Sequence, residues 1–141
     1  TLGLIKDYPC LGSGLGTYVK VINHYLGKDF YVIINHAHND YLEMLGEAGL
    51  IGGGALILSG FLLLGLGVKR YFRTRDSLTR GISLGAMMGV AALFLHSLTD
   101  FSLRMPGNAV VWLSLFVLCL KVPLLSPAQY YSGEREEDKD D

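Results

Sequence analysis

Apolar residues in this chain fall into three long runs that short polar segments separate. The first run, LIGGGALILSGFLLLGLGV from Leu50 to Val68, carries no charged residue. A helix of about 20 apolar residues crosses a hydrocarbon core about 30 Å thick. The pattern therefore predicts transmembrane helices at 50–68, 82–98 and 109–125. Before the third helix, Pro106 should prevent continuation of the second helix, and Asn108 is a suitable N-cap.

The charges between and after these runs predict their orientation. Lys69 to Arg80, KRYFRTRDSLTR, holds five basic residues and one acidic residue. Short loops rich in Lys and Arg remain on the cytoplasmic side of a membrane. We therefore expect a cytoplasmic loop at 69–81 and outer-face segments at 1–49 and 99–108. The acidic tail, 126–141, is expected to be cytoplasmic and disordered.

The outer segment 1–49 carries signals for short helices and turns. Glycine residues punctuate Asp7–Thr17, which predicts a turn region, with a phosphate cradle of backbone N–H groups as the alternative. Apolar spacing predicts a short helix over Thr17–Leu26. Phe30–Asn35 is too short to span a membrane and suggests an extended interfacial piece. A longer helix is expected to begin at Asn39 and to bend at Gly49 where it meets the first span.

Composition agrees with a membrane protein. Half of the 141 residues are hydrophobic, only 18% are charged, and the mean hydropathy is +0.36. The two cysteines, Cys10 and Cys119, suggest neither a disulfide framework nor a CxxC metal site. The expected fold class is therefore all-α, a polytopic membrane helix bundle with about three spans and an outer-face loop of short helices.

Polar residues are concentrated directly ahead of the first span, in NHAHNDYLEMLGE. Three interpretations are open. The HxHxD pattern of His36, His38 and Asp40 can ligate zinc in binuclear hydrolases. The same residues can act as acid and base groups at a membrane surface. Alternatively, Asn39 and Asp40 only cap a helix in which Glu43 and Glu47 form the solvent-facing side.

A second polar group follows the second span. His96 and Asp100 are four residues apart, so they share a face if the helix continues, and Arg104 follows them. Ionisable groups at membrane depth are functional candidates because they are costly to place there. The alternative is an interfacial histidine beside a solvated Asp–Arg pair.

The order HNDYLEMLGEAGLIGG resembles the signature of bacterial O-antigen ligases and O-antigen polymerases of the Wzy/WaaL type. His38 and Asn39 are followed by nine residues, then Gly49, and then Gly52 three residues on. Two softer similarities extend this resemblance. Tyr8–Tyr18 is similar to a glycine-rich segment that precedes the histidine in the family, and His96–Ala109 is similar to its final outer connection.

The resemblance implies an integral membrane glycosyltransferase of which this chain is the C-terminal part. Such enzymes act on the outer, periplasmic face of the bacterial inner membrane. They take a glycan from a polyprenyl diphosphate carrier and transfer it to a hydroxyl of a glycan, a lipid or a protein. The resemblance implies no cofactor, no metal and no nucleic-acid partner, and it leaves ligase and polymerase as alternatives.

The resemblance also suggests roles for individual residues. His38 would be the general base or acceptor-orienting residue, since histidine titrates near neutral pH. Asn39 and Asp40 would fix its geometry. Contacts to the diphosphate or the sugar would come from Arg104, Asp100, His96 and Glu43. Two other classes stay open: a metal-dependent membrane hydrolase that uses His36, His38 and Asp40, and a non-enzymatic component of glycan export.

Overall fold

The computed structural model describes residues 1–26 and 34–122, and these residues are all helical or irregular. This confirms the predicted all-α class. The described helices are α1 (Leu2–Asp7), α2 (Tyr18–Ile22), α3 (Asp40–Arg73), α4 (Ser77–His96) and α5 (Pro106–Lys121), with 3-10 turns at Asn23–Tyr25 and Ser102–Arg104. Some predictions lie wholly or partly outside the described residues: the tail 126–141, most of the extended piece Phe30–Asn35, and the end of the span 109–125.

Two of these helices, α3 and α4, are long and apolar enough to cross a membrane. The third predicted span corresponds to α5, which is apolar but only 16 residues long within the described part. This helix begins at Pro106, so the expected N-cap at Asn108 is wrong. Proline suits the first helical position, because its fixed φ matches a helix and its missing N–H has no partner there.

The chain divides into two compact units. Among the described residues, one comprises those within 1–60 and 93–109, and the other comprises 61–92 and 110–122. In the second unit, small residues allow close helix contacts: a Cβ at Gly89 would lie 2.9 Å from Leu115 Cδ1. Met87, Ala86 and Cys119 form a small core there. All candidate site residues belong to the first unit.

The helix α3 is broken at Gly49, which confirms the predicted bend. Gly49 has φ 68° and ψ −176°, a conformation that is essentially restricted to glycine. The turn region Pro9–Thr17, here called the glycine loop, packs against this break. Its carbonyls at Pro9 and Cys10 accept hydrogen bonds from the N–H groups of Leu50 (2.8 Å) and Ile51 (3.2 Å).

Two further bonds complete this contact. The N–H of Ser13 donates to the carbonyl of Gly46, and the N–H of Gly14 donates to that of Glu47, both at 2.9 Å. These two N–H groups of the glycine loop are thus engaged by α3, which favours the turn over a phosphate cradle. We call the set of four hydrogen bonds the loop–helix clasp. It holds the broken part of α3, residues 46–51, against residues 9–14 of the glycine loop.

Candidate functional site

The first turn of α3 is capped and anchored by Asn39. Its Oδ1 accepts a hydrogen bond from the N–H of Leu42 at 3.0 Å, as an N-cap does. Its Nδ2 donates to the carbonyl of Leu98 at 2.9 Å. The same side chain therefore starts the helix and ties it to the segment that follows α4. The capping prediction is thus confirmed for Asn39, whereas Asp40 is the first residue of the helix.

Asp40 is buried and makes contacts to the same segment. Its N–H donates to the carbonyl of Ser97, and its Oδ2 accepts from the N–H of Leu103, both at 2.9 Å. The next residue, Tyr41, donates its hydroxyl to the carbonyl of Phe94 at 2.8 Å. Asp40 thus joins the start of α3 to the segment that follows α4.

Glu43 and Glu47 lie on the buried side of α3, not on the solvent-facing side that the helix pattern suggested. Each is only 1% exposed. Glu43 Oε1 lies 3.0 Å from His36 Nδ1, and its Oε2 accepts a 2.8 Å hydrogen bond from the N–H of Ala37. Burial of these charges is tolerable because both carboxylates have charged or N–H partners.

Arg104 joins the two glutamates. Its Nη2 lies 2.7 Å from Glu47 Oε2 and its Nε lies 3.5 Å from Glu43 Oε1. Glu47 also accepts a 2.9 Å hydrogen bond from the N–H of Tyr18. Burial raises the pKa of Glu47, but the Tyr18 N–H and the Arg104 guanidinium lower it more, so its pKa lies below the usual 4.5. We call His36, Glu43, Glu47 and Arg104 the buried ionic cluster.

A second group of ionisable residues is exposed. His38 Nδ1 lies 3.4 Å from Asp100 Oδ1, and His96 Nε2 lies 3.7 Å from Asp100 Oδ2. The N–H of Phe101 donates to Asp100 at 2.9 Å. This bond, followed by the contact with His38, holds the pKa of Asp100 below its usual 3.8. The structure thus brings two predicted site residues, His38 and His96, to the carboxylate of a third, Asp100.

His38 has an unusual backbone. Its φ is 48°, and within the described residues it is the one non-glycine residue with positive φ. Such a conformation is uncommon and costs energy, so its presence at a polar site suggests a functional constraint. The side chain is 70% exposed. The backbone thus directs the imidazole outward, immediately before Asn39 starts the helix.

Phe101 connects the exposed group with the buried one. Its ring stacks on that of His36, with centroids 4.4 Å apart, and meets the ring of His38 edge-on at 5.2 Å. These contacts restrict the rotation of both imidazoles. Spacing alone gave no reason to single out Phe101. The available signal was its position between two predicted site residues, Asp100 and Arg104.

These rings border an open pocket of about 630 Å³. Its lining combines polar and apolar groups from residues 1–26, from residues 34–38 and from the connection after α4: Thr1, Tyr18, Ile22, Leu26, Ile34, Asn35, His36, Ala37, His38 and Phe101. The volume and the mixed lining suit a small organic moiety such as a sugar unit.

The HxHxD residues do not converge on one point. His36 faces Glu43, His38 faces Asp100, and Asp40 accepts the N–H of Leu103. Within residues 1–26 and 34–122, no group of three or more His, Cys, Asp or Glu side chains is placed to hold a metal ion. The three side chains are therefore committed to separate contacts, which weighs against the binuclear pattern that the sequence suggested.

The described residues form a helical chain that has two helices long and apolar enough to cross a membrane, with a histidine and carboxylate site beside the first of them. Residues 1–58 match the family model described as O-antigen ligase, which confirms the resemblance to that family. The match supports a membrane enzyme of glycosyltransferase type that ligates or polymerises glycans. It includes the glycine loop, the histidine motif and Gly49. No curated protein and no solved structure matches the chain.

Proposed function

We propose that this chain forms part of the active site of a glycosyltransferase that uses a polyprenyl-diphosphate-linked glycan as donor and a hydroxyl as acceptor. His38 is the general base. The observation that carries the proposal is the exposed imidazole of His38, held in a left-handed backbone conformation against Asp100 at the border of a pocket. The match to the O-antigen ligase family supports the reaction class.

The chemistry follows from the contact between His38 and Asp100. A carboxylate beside Nδ1 favours the tautomer in which Nδ1 carries the proton and Nε2 accepts one. The acceptor hydroxyl gives its proton to Nε2 while its oxygen attacks the anomeric carbon of the donor sugar. The bond from that carbon to the diphosphate breaks, and the carrier diphosphate leaves with the electron pair. Asp100 stabilises the imidazolium that forms.

The remaining predicted residues support this geometry in different ways. Asn39 and Asp40 are positioning residues, because they join the helix start to the segment after α4. His96 shares Asp100 with His38 and is suited to contact a sugar hydroxyl. Glu43 is nearly inaccessible, so we assign it to the support of His36 rather than to substrate.

Arg104 is better suited to organising the site than to binding the diphosphate. Its single positive charge faces two buried negative charges, Glu43 and Glu47. If the guanidinium moved toward a substrate, both carboxylates would lose their positively charged partner. Leaving buried charges without a partner is costly in free energy. Cationic groups outside the described residues would then neutralise the leaving diphosphate.

The proposed topology keeps the site on the periplasmic face of the bacterial inner membrane. The segment 50–68 within α3 crosses the bilayer, the segment 82–98, most of which lies in α4, crosses it again, and α5 provides the third crossing. The basic loop 69–81 is cytoplasmic by the positive-inside rule. Large apolar side chains along α3, such as Phe61 and Leu62, are exposed in the isolated chain, as expected of a helix that contacts lipid or further helices.

The test is complementation with the full-length protein that contains this chain. His38→Ala should abolish surface glycan, with normal membrane levels of the protein. His36→Ala should have a milder effect, and His24→Ala is the matched control, since His24 is exposed on the 3-10 turn after α2. Normal glycan with His38→Ala would refute the assignment.

A purified assay separates the three function classes. The full-length protein is given a carrier-linked glycan and an acceptor, and free carrier diphosphate is measured. Release that requires both the acceptor and His38 supports the transferase. Binding without release would indicate an export component instead. Loss of activity with a chelator, restored by zinc and dependent on both His36 and His38, would indicate the metal-dependent hydrolase.

A further inference from the structure

The glycine loop carries two of the most exposed apolar side chains of the described protein. Leu11 and Leu15 are each 76% exposed. The loop–helix clasp fixes the backbone on both sides of Leu11, and Ser13 Oγ makes a further 2.8 Å hydrogen bond to Thr17 Oγ1. These bonds fix the backbone of the loop in one conformation. The exposure of the two leucines is therefore a property of that conformation and does not result from loop mobility.

The position of the loop along α3 suggests what these leucines contact. The N–H groups of Leu50 and Ile51 donate to the carbonyls of Pro9 and Cys10, which places the loop level with the first residues of the apolar run. Leu50 and Ile51 are themselves 59% and 64% exposed. The exposed leucines of the loop therefore belong to a segment that contacts the first exposed apolar residues of α3, and these residues begin the run that we expect to cross the membrane.

The charge pattern around the loop fits a lipid surface. Between Asp7 and Lys20 there is no charged residue. Exposed lysines, Lys6 and Lys20, stand on either side of this stretch, and Tyr8 is half exposed at its start. Apolar side chains flanked by lysine and tyrosine are typical of segments that lie in the boundary between headgroups and acyl chains.

We propose that the glycine loop inserts Leu11 and Leu15 into the outer boundary of the bilayer and so anchors the site at a fixed height above the membrane. The occupant of this surface is membrane lipid. A carrier-linked substrate is presented from the same boundary, so a fixed height would favour its encounter with the site. The proposal rests on the membrane crossing of α3 but not on the role assigned to His38.

The test uses the full-length protein reconstituted into vesicles of phosphatidylethanolamine and phosphatidylglycerol. In a background with Cys10→Ser, Cys119→Ser and other native cysteines removed, a polarity-sensitive fluorophore is attached at Leu11→Cys or Leu15→Cys. The control is Asn23→Cys, an exposed position on the 3-10 turn after α2. Quenching is measured with nitroxide-bearing lipid and, separately, with iodide in the water.

The proposal predicts strong quenching by the nitroxide lipid and weak quenching by iodide at positions 11 and 15, with the reverse at position 23. Iodide quenching at 11 and 15 equal to that at 23 would show that the loop lies in water. Protection from both quenchers would show that another part of the protein covers the loop. Either result overturns the proposal, and neither depends on glycan transfer.

Discussion

The substitution Gly49→Ala is expected to open the loop–helix clasp. A Cβ at Gly49 would lie 2.2 Å from the carbonyl oxygen of Cys10 and 2.6 Å from the backbone nitrogen of Gly12. Both obstacles are backbone atoms, so no side-chain rotation can relieve the overlap. The glycine loop must therefore move away from the break in α3, or Gly49 must leave its present conformation.

The size of the effect follows from two contributions. An alanine held at φ 68° and ψ −176° is strained by about 1–3 kcal/mol. The clasp contains four backbone hydrogen bonds, each of which contributes about 0.5–1.5 kcal/mol. Loss of half of them adds about 1–3 kcal/mol. The two contributions together give about 2–6 kcal/mol, and about 3 kcal/mol, in the lower half of this range, already corresponds to roughly 100-fold easier opening of the clasp.

Hydrogen exchange on the full-length protein measures this opening directly. The amide hydrogens of the clasp donors, Ser13, Gly14, Leu50 and Ile51, should exchange roughly 100-fold faster in Gly49→Ala than in the unmodified protein. The matched control is Gly54→Ala, because a Cβ at Gly54 meets no atom within 4 Å. Equal protection of the clasp amides in both variants would refute the argument that Gly49 is required by this close approach.

Three other predictions concern the site. Phe101→Leu removes two ring contacts worth about 1 kcal/mol each, so kcat should fall by up to roughly 30-fold with KM little changed, while Phe101→Tyr, which keeps the ring, should retain most of the activity. Asp100→Asn should lower kcat by roughly 5-fold, far less than His38→Ala, because the pair is exposed. Glu47 has a lowered pKa, so its stabilising effect is complete above pH 4.5 and is lost as the pH falls through the folded-state pKa. Thermal unfolding should show this loss of stability at acid pH, and Glu47→Gln should remove the part of the pH dependence that Glu47 contributes.

Much of the fold was predictable because membrane helices depend on local composition. The apolar runs predicted α3 and α4 without any knowledge of contacts. The bend at Gly49 was predictable too, since glycine between a polar and an apolar helical segment marks a break. The start of α5 at Pro106 was missed because proline was treated as a barrier to the preceding helix rather than as the first residue of the next one.

The site was predictable only in part, because its partners are far apart in sequence. The motif spacing singled out His38, and the i, i+4 rule paired His96 with Asp100. No local rule could place Asp100 beside His38, which lies 62 residues earlier in the chain. For the same reason helix periodicity predicted that Glu47 faces solvent. The spacing of polar residues in a helix is the same whether they face water or an arginine that is distant in sequence.

The two histidines of the HxH pattern differ in what surrounds them, and this difference determines how mutations should be interpreted. His36 belongs to the buried ionic cluster, where removing one partner leaves another charge buried and destabilises the protein. His38 faces solvent and an exposed carboxylate, so it can exchange protons with little structural cost. Substitutions at Glu47 or Arg104 should therefore lower stability first and activity as a consequence. Substitutions at His38 should lower activity in a protein that remains folded. This contrast is expected if the buried ionic cluster holds the exposed base in position and takes no part in the reaction.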